Sequence, residues 1–121
     1  MLKDKEFEQR MRLGRLYDFY GGLLTQRQKN CMELHFFNDL SLGEIAEEYK
    51  VSRQAIHDLL KRVEQTLEKY EEQLGLLKRH DAEQATLAKA EKLLGEYMLT
   101  NKNSQLEKIH KILDELSSEG R

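Results

Sequence analysis

Residues 41–62, SLGEIAEEYKVSRQAIHDLLKR, carry the signals of two helices joined by a tight turn. Ser41 stands at an N-cap position, and Glu44 three residues later completes a capping box. Leu40 and Ile45 flank that cap as a hydrophobic staple. A short amphipathic helix follows, with Leu42, Ile45, Ala46 and Tyr49 on one face. Tyr49, Lys50 and Val51 form the turn, and Ser52 caps a second helix that opens with Arg53, Gln54 and Ala55. Val51 and Ile56 are the second staple pair. Ile56, Leu59, Leu60 and Val63 repeat at helical spacing, which turns Arg53, Gln54, His57, Lys61 and Arg62 outward. Small Ala46 lets the helices cross closely, and Val51 plugs the corner. This is the logic of a helix-turn-helix, whose second helix offers its N-terminal side chains to a major groove.

The same stretch lies in a longer block, LTQRQKNCMELHFFNDLSLGEIAEEYKVSRQAIHDLLKRVEQTL, that resembles the fourth conserved region of bacterial sigma factors. A leucine and threonine open an Arg/Gln-rich helix, and a hydrophobic run ends in Phe-Phe-Asn-Asp-Leu-Ser. Glu-Ile-Ala, Val-Ser-Arg-Gln-Ala-Ile and a Lys-Arg pair complete the match, over residues 23–67. With its opening helix and its tail, the whole chain is more similar to the small YlxM-like bacterial proteins. Those are regulators whose genes neighbour the signal recognition particle GTPase genes. The resemblance implies an all-α, sigma-region-4-like helix-turn-helix and a setting in protein targeting. The target would be the particle's RNA, its GTPases or their genes.

Composition agrees with the fold. Of 121 residues, 35% are charged and 39% hydrophobic, with no proline to break a helix. Cys31 is the one cysteine, so no disulfide or cysteine zinc site can form within a chain, and a reduced, cytoplasmic compartment is expected. The opening MLKDKEFEQR shows no apolar signal segment, and no run approaches membrane-spanning length. A net charge of −2 is low for a phosphate binder. Residues 1–63 hold 11 Lys/Arg against 10 Asp/Glu, and residues 64–121 hold 9 against 12. Nucleic-acid binding should therefore be weak, salt-sensitive and dependent on dimer geometry or a partner.

Along the chain, Phe7, Met11, Leu13, Leu16, Tyr17 and Tyr20 predict an amphipathic helix over 4–20, ended by Gly21-Gly22. Thr25 with Gln28 is a capping box for the next helix. Its run from Cys31 and Met32 through Leu34, His35, Phe36 and Phe37 is expected at the centre of the core. Val63, Leu67, Tyr70, Leu74 and Leu77 carry the second motif helix onward with coiled-coil spacing, which predicts one helix from Arg53 to about Lys78, with Gly75 as the point where it can fray. The far half of that helix needs another surface. Asp81 with Gln84, and Ser104 with Glu107, are candidate caps for two tail helices. Their seams are Leu87, Ala90, Leu94, Tyr97 and Leu106, Ile109, Leu113, Leu116. The favoured expectation is a homodimer through the tail, against a monomeric helical bundle.

Arg53 can take guanine O6 and N7, and Gln54 can pair with adenine. Ser52 sits beside backbone N–H groups that suit a phosphate. Arg27, Lys29, Lys50, Lys61 and Arg62 surround this face as phosphate contacts, with His57 on it. Asp58 lies mid-face and argues for the plainer reading, a solvated helix surface. Glycine is common where Lys50 stands, so lysine there costs roughly 1 kcal/mol if the backbone is left-handed. A slightly different turn is favoured over the alternative, a strained turn tolerated because Lys50 reaches a phosphate. The four histidines lack the spacing of a zinc site, Cys31 reads as a small buried hydrophobe, and no phosphate loop or nucleophile elbow is present. No cofactor and no enzyme activity are expected.

The whole predicts about six helices. A helix-turn-helix domain over 1–80 has no wing but a long recognition helix, and a helical tail spans 81–121. The expected function is a non-catalytic DNA-binding regulator in the signal recognition particle pathway. The alternative is an adaptor that docks on particle components, its GTPases included, through an acidic tail, the helix-turn-helix serving as scaffold.

Overall fold

The computed structural model describes residues 2–100 and 103–119. Among them the α-helices are α1 (Leu2–Tyr20), α2 (Gln26–Met32), α3 (Leu42–Tyr49), α4 (Arg53–Leu74), α5 (Leu76–Thr100) and α6 (Asn103–Glu119). A 3-10 turn at Gly21–Leu23 joins α1 to α2, and a π-helical turn at Glu33–Phe37 extends α2. The fold is all-α, as the patterning implies. The chain divides into two compact units, one ending at Leu77 and the next beginning at Lys78.

The first unit is built on caps that the sequence spells out. Thr25 Oγ1 accepts from the Gln28 N–H at 3.2 Å while the Gln28 side chain accepts from the Thr25 N–H at 3.0 Å. Ser41 and Glu44 repeat this reciprocal pair at 3.1 and 3.2 Å. Each box satisfies two N–H groups that a helix start otherwise leaves without partners. Two apolar clusters then hold the helices. Leu13, Leu16 and Tyr20 of α1 meet Leu24, Met32, Val63, Leu67 and Leu77 in the first. Cys31, Ile45, Ala46 and Ile56 form the second, beneath the helix-turn-helix. Leu59 and Leu60 of α4 pack against both, so α4 is the spine of the unit. Ile45 and Ile56 are fully buried, each contributing about 1.5–3 kcal/mol of transfer free energy.

Several expectations are corrected here. The stripe from Val63 to Leu77 is no exposed coiled-coil seam, because α1 covers Val63 and Leu67 within the chain. No single helix reaches Lys78. α4 stops at Leu74, where Gly75 turns left-handed (φ 64°, ψ 25°) and its N–H bonds Glu71 O at 2.8 Å. The chain restarts at Leu76, and the junction is tied by side chains. Tyr20 Oη donates to Glu71 Oε1 at 2.7 Å and accepts from the Leu76 N–H at 3.0 Å. The Leu77 N–H donates to the same Glu71 oxygen at 3.0 Å. The first two N–H groups of α5 are thus capped by a tyrosine and a glutamate rather than by Asp81, which lies inside α5. Ser104 likewise lies inside α6, which opens at Asn103. Phe37 is 59% exposed and Phe7 64%, so neither belongs to the core that the hydrophobic runs predict.

On the surface of the first unit, Arg12 grips both carboxylate oxygens of Glu68 at 2.7 and 2.8 Å, tying α1 to α4. Those hydrogen bonds hold the Glu68 carboxyl below its ordinary range against a smaller opposing effect of burial. Burial pushes the Cys31 thiol up, Arg27 pulling weakly the other way, so the cysteine stays a protonated core residue.

The second unit holds most of α5 and all of α6. Gln105 Nε2 donates to Glu96 Oε2 at 3.1 Å, and Ala90 and Ile112 are buried. These lie at similar distances on either side of residues 101–102, which fits an antiparallel hairpin. The unit boundary also relocates the acidic excess. Residues 78–121 hold eight Lys/Arg and eight Asp/Glu, whereas 64–77 hold one basic residue against four glutamates. The acidity belongs to the second half of α4.

Candidate nucleic-acid interface

The turn between α3 and α4 sets the geometry of the exposed face. Lys50 is left-handed (φ 56°, ψ 44°), so the turn adopts the backbone that glycine usually supplies, and the expectation of a different turn is corrected. The Lys50 N–H bonds Glu47 O at 3.3 Å and the Val51 N–H bonds Ala46 O at 3.0 Å. These are the two bonds of a Schellman ending, and they satisfy carbonyls that the end of α3 would leave open. Val51 and Ala46 meet in the apolar cluster that accompanies it. The geometry is kept at the cost of placing a β-carbon in the left-handed region, about 1–2 kcal/mol.

From this turn α4 leaves with Ser52 as its cap, the hydroxyl accepting from the Ala55 N–H at 3.0 Å. Ile56 is fully buried, which fixes the rotation of the helix and turns Arg53, Gln54, His57 and Lys61 to the surface. Arg53, Gln54, His57 and Leu42 line an open depression of about 440 Å³ between the starts of α3 and α4. His57 and Lys61 also border a second one of about 210 Å³ with His35, Leu60 and Glu64. Asp58 organises the middle of the face. It accepts from Gln54 Nε2 at 3.0 Å and lies 3.5 Å from His57 Nδ1. Gln54 is therefore held by a neighbour, and must exchange Asp58 for a base edge if it is to read one.

The remaining candidates are placed unevenly. Lys50 is exposed on the turn beside Ser52. The Arg27 guanidinium lies 5.4 Å over the Tyr49 ring, which brings α2 to the same corner. Lys29 is only partly exposed. Arg62 is exposed but lies about 100° further round the helix than Lys61, on a different side. The corner thus gathers Arg27, Lys50, Ser52 and Arg53, with Gln54, His57 and Lys61 following along α4. His35 is structural: its Nδ1 lies 2.9 Å from Leu40 O, a carbonyl that can only accept, so Nδ1 carries the proton. Sequence reading missed Leu42 and Glu64 as neighbours of this face, since Leu42 was assigned to the apolar face of α3 and Glu64 lies almost a turn beyond Lys61. Among the described residues, no group of three His, Cys, Asp or Glu side chains could hold a metal ion. No helix there is long and apolar enough to cross a membrane.

Known proteins are similar to this chain in sequence over most of its length. A family model described as "Putative helix-turn-helix protein, YlxM / p13 like" matches residues 7–112. A UPF0122 protein of Desulforamulus reducens is 48% identical over 112 residues, covering 93% of each chain. One from Listeria welshimeri is 44% identical over 112 residues, 93% of this chain and 97% of its own. One from Bacillus cereus strain AH187 is 51% identical over 89 residues, 74% of this chain and 81% of its own. With two capped helices meeting at a Schellman turn and relatives that align through the tail, the chain belongs to the UPF0122 family of YlxM/p13-like helix-turn-helix proteins.

Proposed function

We propose that the protein is a non-catalytic, DNA-binding regulator that works as a cytoplasmic homodimer. Its setting, by resemblance, is signal recognition particle targeting, through the particle's RNA, its GTPases or their genes. The observation that carries the reading is the exposed start of α4. A Schellman turn and a serine cap present Arg53, Gln54, His57 and Lys61 together, with Lys50 and Arg27 at the corner. In such a motif the N-terminal side chains of the second helix meet base edges, while flanking cations meet phosphates. Ser52 and the start of α4 favour a phosphate, and Arg53 is suited to guanine.

One observation favours a second reading, an adaptor whose helix-turn-helix is scaffold. Asp58 sits in the middle of the face and occupies Gln54, and the chain's net charge is −2. Fluorescence anisotropy at two salt concentrations separates the two. The probes are the duplex upstream of the protein's own gene, the organism's signal recognition particle RNA and random duplex. Saturable, salt-weakened binding that prefers one specific probe supports the regulator and names its target. No binding to any probe at low salt rejects it in favour of the adaptor, for which a pull-down with the targeting GTPases is the next step.

A further inference from the structure

We infer that one face of the α5–α6 hairpin is the surface through which two copies of this chain pair, as a four-helix bundle. This deepens the homodimer of the preceding reading by naming its interface. The sequence shows one apolar seam along each tail helix, and the structure splits each seam in two. Ala90 and Tyr97 of the one, and Ile109 and Leu116 of the other, turn inward together with Ile112 and are buried or partly buried. Leu87, Leu94, Met98, Leu106 and Leu113 stay between 39% and 77% exposed.

Helix geometry puts these five side chains on one side. At about 100° per residue, Leu87, Leu94 and Met98 lie roughly a quarter turn from the inward direction of α5. Leu106 and Leu113 are offset by a similar angle, in the same rotational sense, from the inward direction of α6. Because an antiparallel α6 runs back along α5, equal offsets bring both sets to the same side of the hairpin. The other side carries Lys89, Lys108, Lys111 and Glu115, all exposed.

The occupant that fits is a second hairpin. Among the described residues of this unit only Ala90 and Ile112 are buried, too little apolar burial for two helices to hold alone in water. A twofold pairing lays each apolar face on its own copy and completes a four-helix core. With eight basic and eight acidic residues over 78–121, the unit selects neither a basic nor an acidic partner, and two copies do not repel. Ten such side chains, five from each copy, bury on the order of the 1,000 Å² that a specific interface needs.

Sedimentation velocity of the full chain without nucleic acid tests this, so its outcome stands apart from that of the nucleic-acid reading. At micromolar concentration the parent should sediment as two chains of 14.3 kDa each. Leu94→Glu and Leu113→Glu each place a charge in the buried face and should weaken pairing at least about 100-fold. The milder Leu87→Gln should weaken it less, and Lys111→Gln on the far side should leave it unchanged. A parent that stays a single chain at tens of micromolar overturns the proposal and leaves the face to a different protein. So does a dimer that survives both glutamate substitutions.

Discussion

Lys50 shows how one residue can trade stability for position. Its left-handed backbone lets two Schellman bonds close α3, and a β-carbon there is strained by about 1–2 kcal/mol. Glycine would relieve the strain but add freedom to the unfolded chain. Lys50→Gly should therefore raise stability by a net ~0.5–1 kcal/mol in urea denaturation, and lower nucleic-acid affinity if the ammonium meets a phosphate. A less stable variant would show that the lysine side chain contributes more than its backbone costs. Ile56 is the opposite case, a side chain with no exposed surface where the second cluster meets α4. Ile56→Ala should cost about 2–5 kcal/mol, because the lost transfer energy is joined by that of a cavity. A melting temperature equal to the parent's would mean that the site collapses around the gap. Both positions follow from the sequence, Ile56 from spacing and Lys50 from its place in the turn. Only the backbone angle at Lys50 was misjudged, since the strain of a left-handed lysine was weighed without the two Schellman bonds that offset it.

At the scale of elements, the junction of α1, α4 and α5 was the least legible part of the chain. Leu74 and Leu77 keep the apolar spacing of one continuous helix, and a left-handed residue at Gly75 leaves that spacing almost undisturbed. The partners that make the break tenable come from 51 and 56 residues away, too far for any local pattern to announce them. The Tyr20 hydroxyl donates to Glu71 and accepts from the Leu76 N–H, with the ring 1% exposed. Tyr20→Phe keeps the ring and removes only these bonds, leaving the Leu76 N–H without its acceptor while Glu71 Oε1 keeps the Leu77 N–H. The expected loss is about 1–3 kcal/mol, read as a lower urea midpoint with an unchanged slope. An unchanged midpoint would mean that water replaces the hydroxyl without penalty. The capping boxes at Thr25 and Ser41, by contrast, were legible because each is complete within four residues.

For the molecule as a whole, the question is whether a chain of net charge −2 can hold nucleic acid through one corner. The acidic excess lies on Glu64, Glu68, Glu71 and Glu72, in the second half of α4, while Arg53 and Lys61 lie in the first half. Arg12 neutralises Glu68 by a bidentate pair, which removes part of that excess from the field. Charge is thus graded along α4, and composition alone understates what the start of the helix offers. The gradient makes the two kinds of contact separable. A phosphate contact weakens binding to every sequence and carries a share of the salt dependence, about 0.9 of a unit in the slope of log K against log salt. A base contact shifts preference between sequences and leaves the slope nearly unchanged. Lys61→Ala should therefore weaken specific and random duplex alike and reduce the slope by about one. Arg53→Ala should lower affinity for the preferred probe by about 1–3 kcal/mol and narrow its margin over random duplex. Anisotropy titrations at four salt concentrations give both quantities from one data set. If Arg53→Ala lowers all probes equally and takes a unit of slope with it, the arginine is a phosphate contact. The reading of sequence would then have to move to Gln54 and His57.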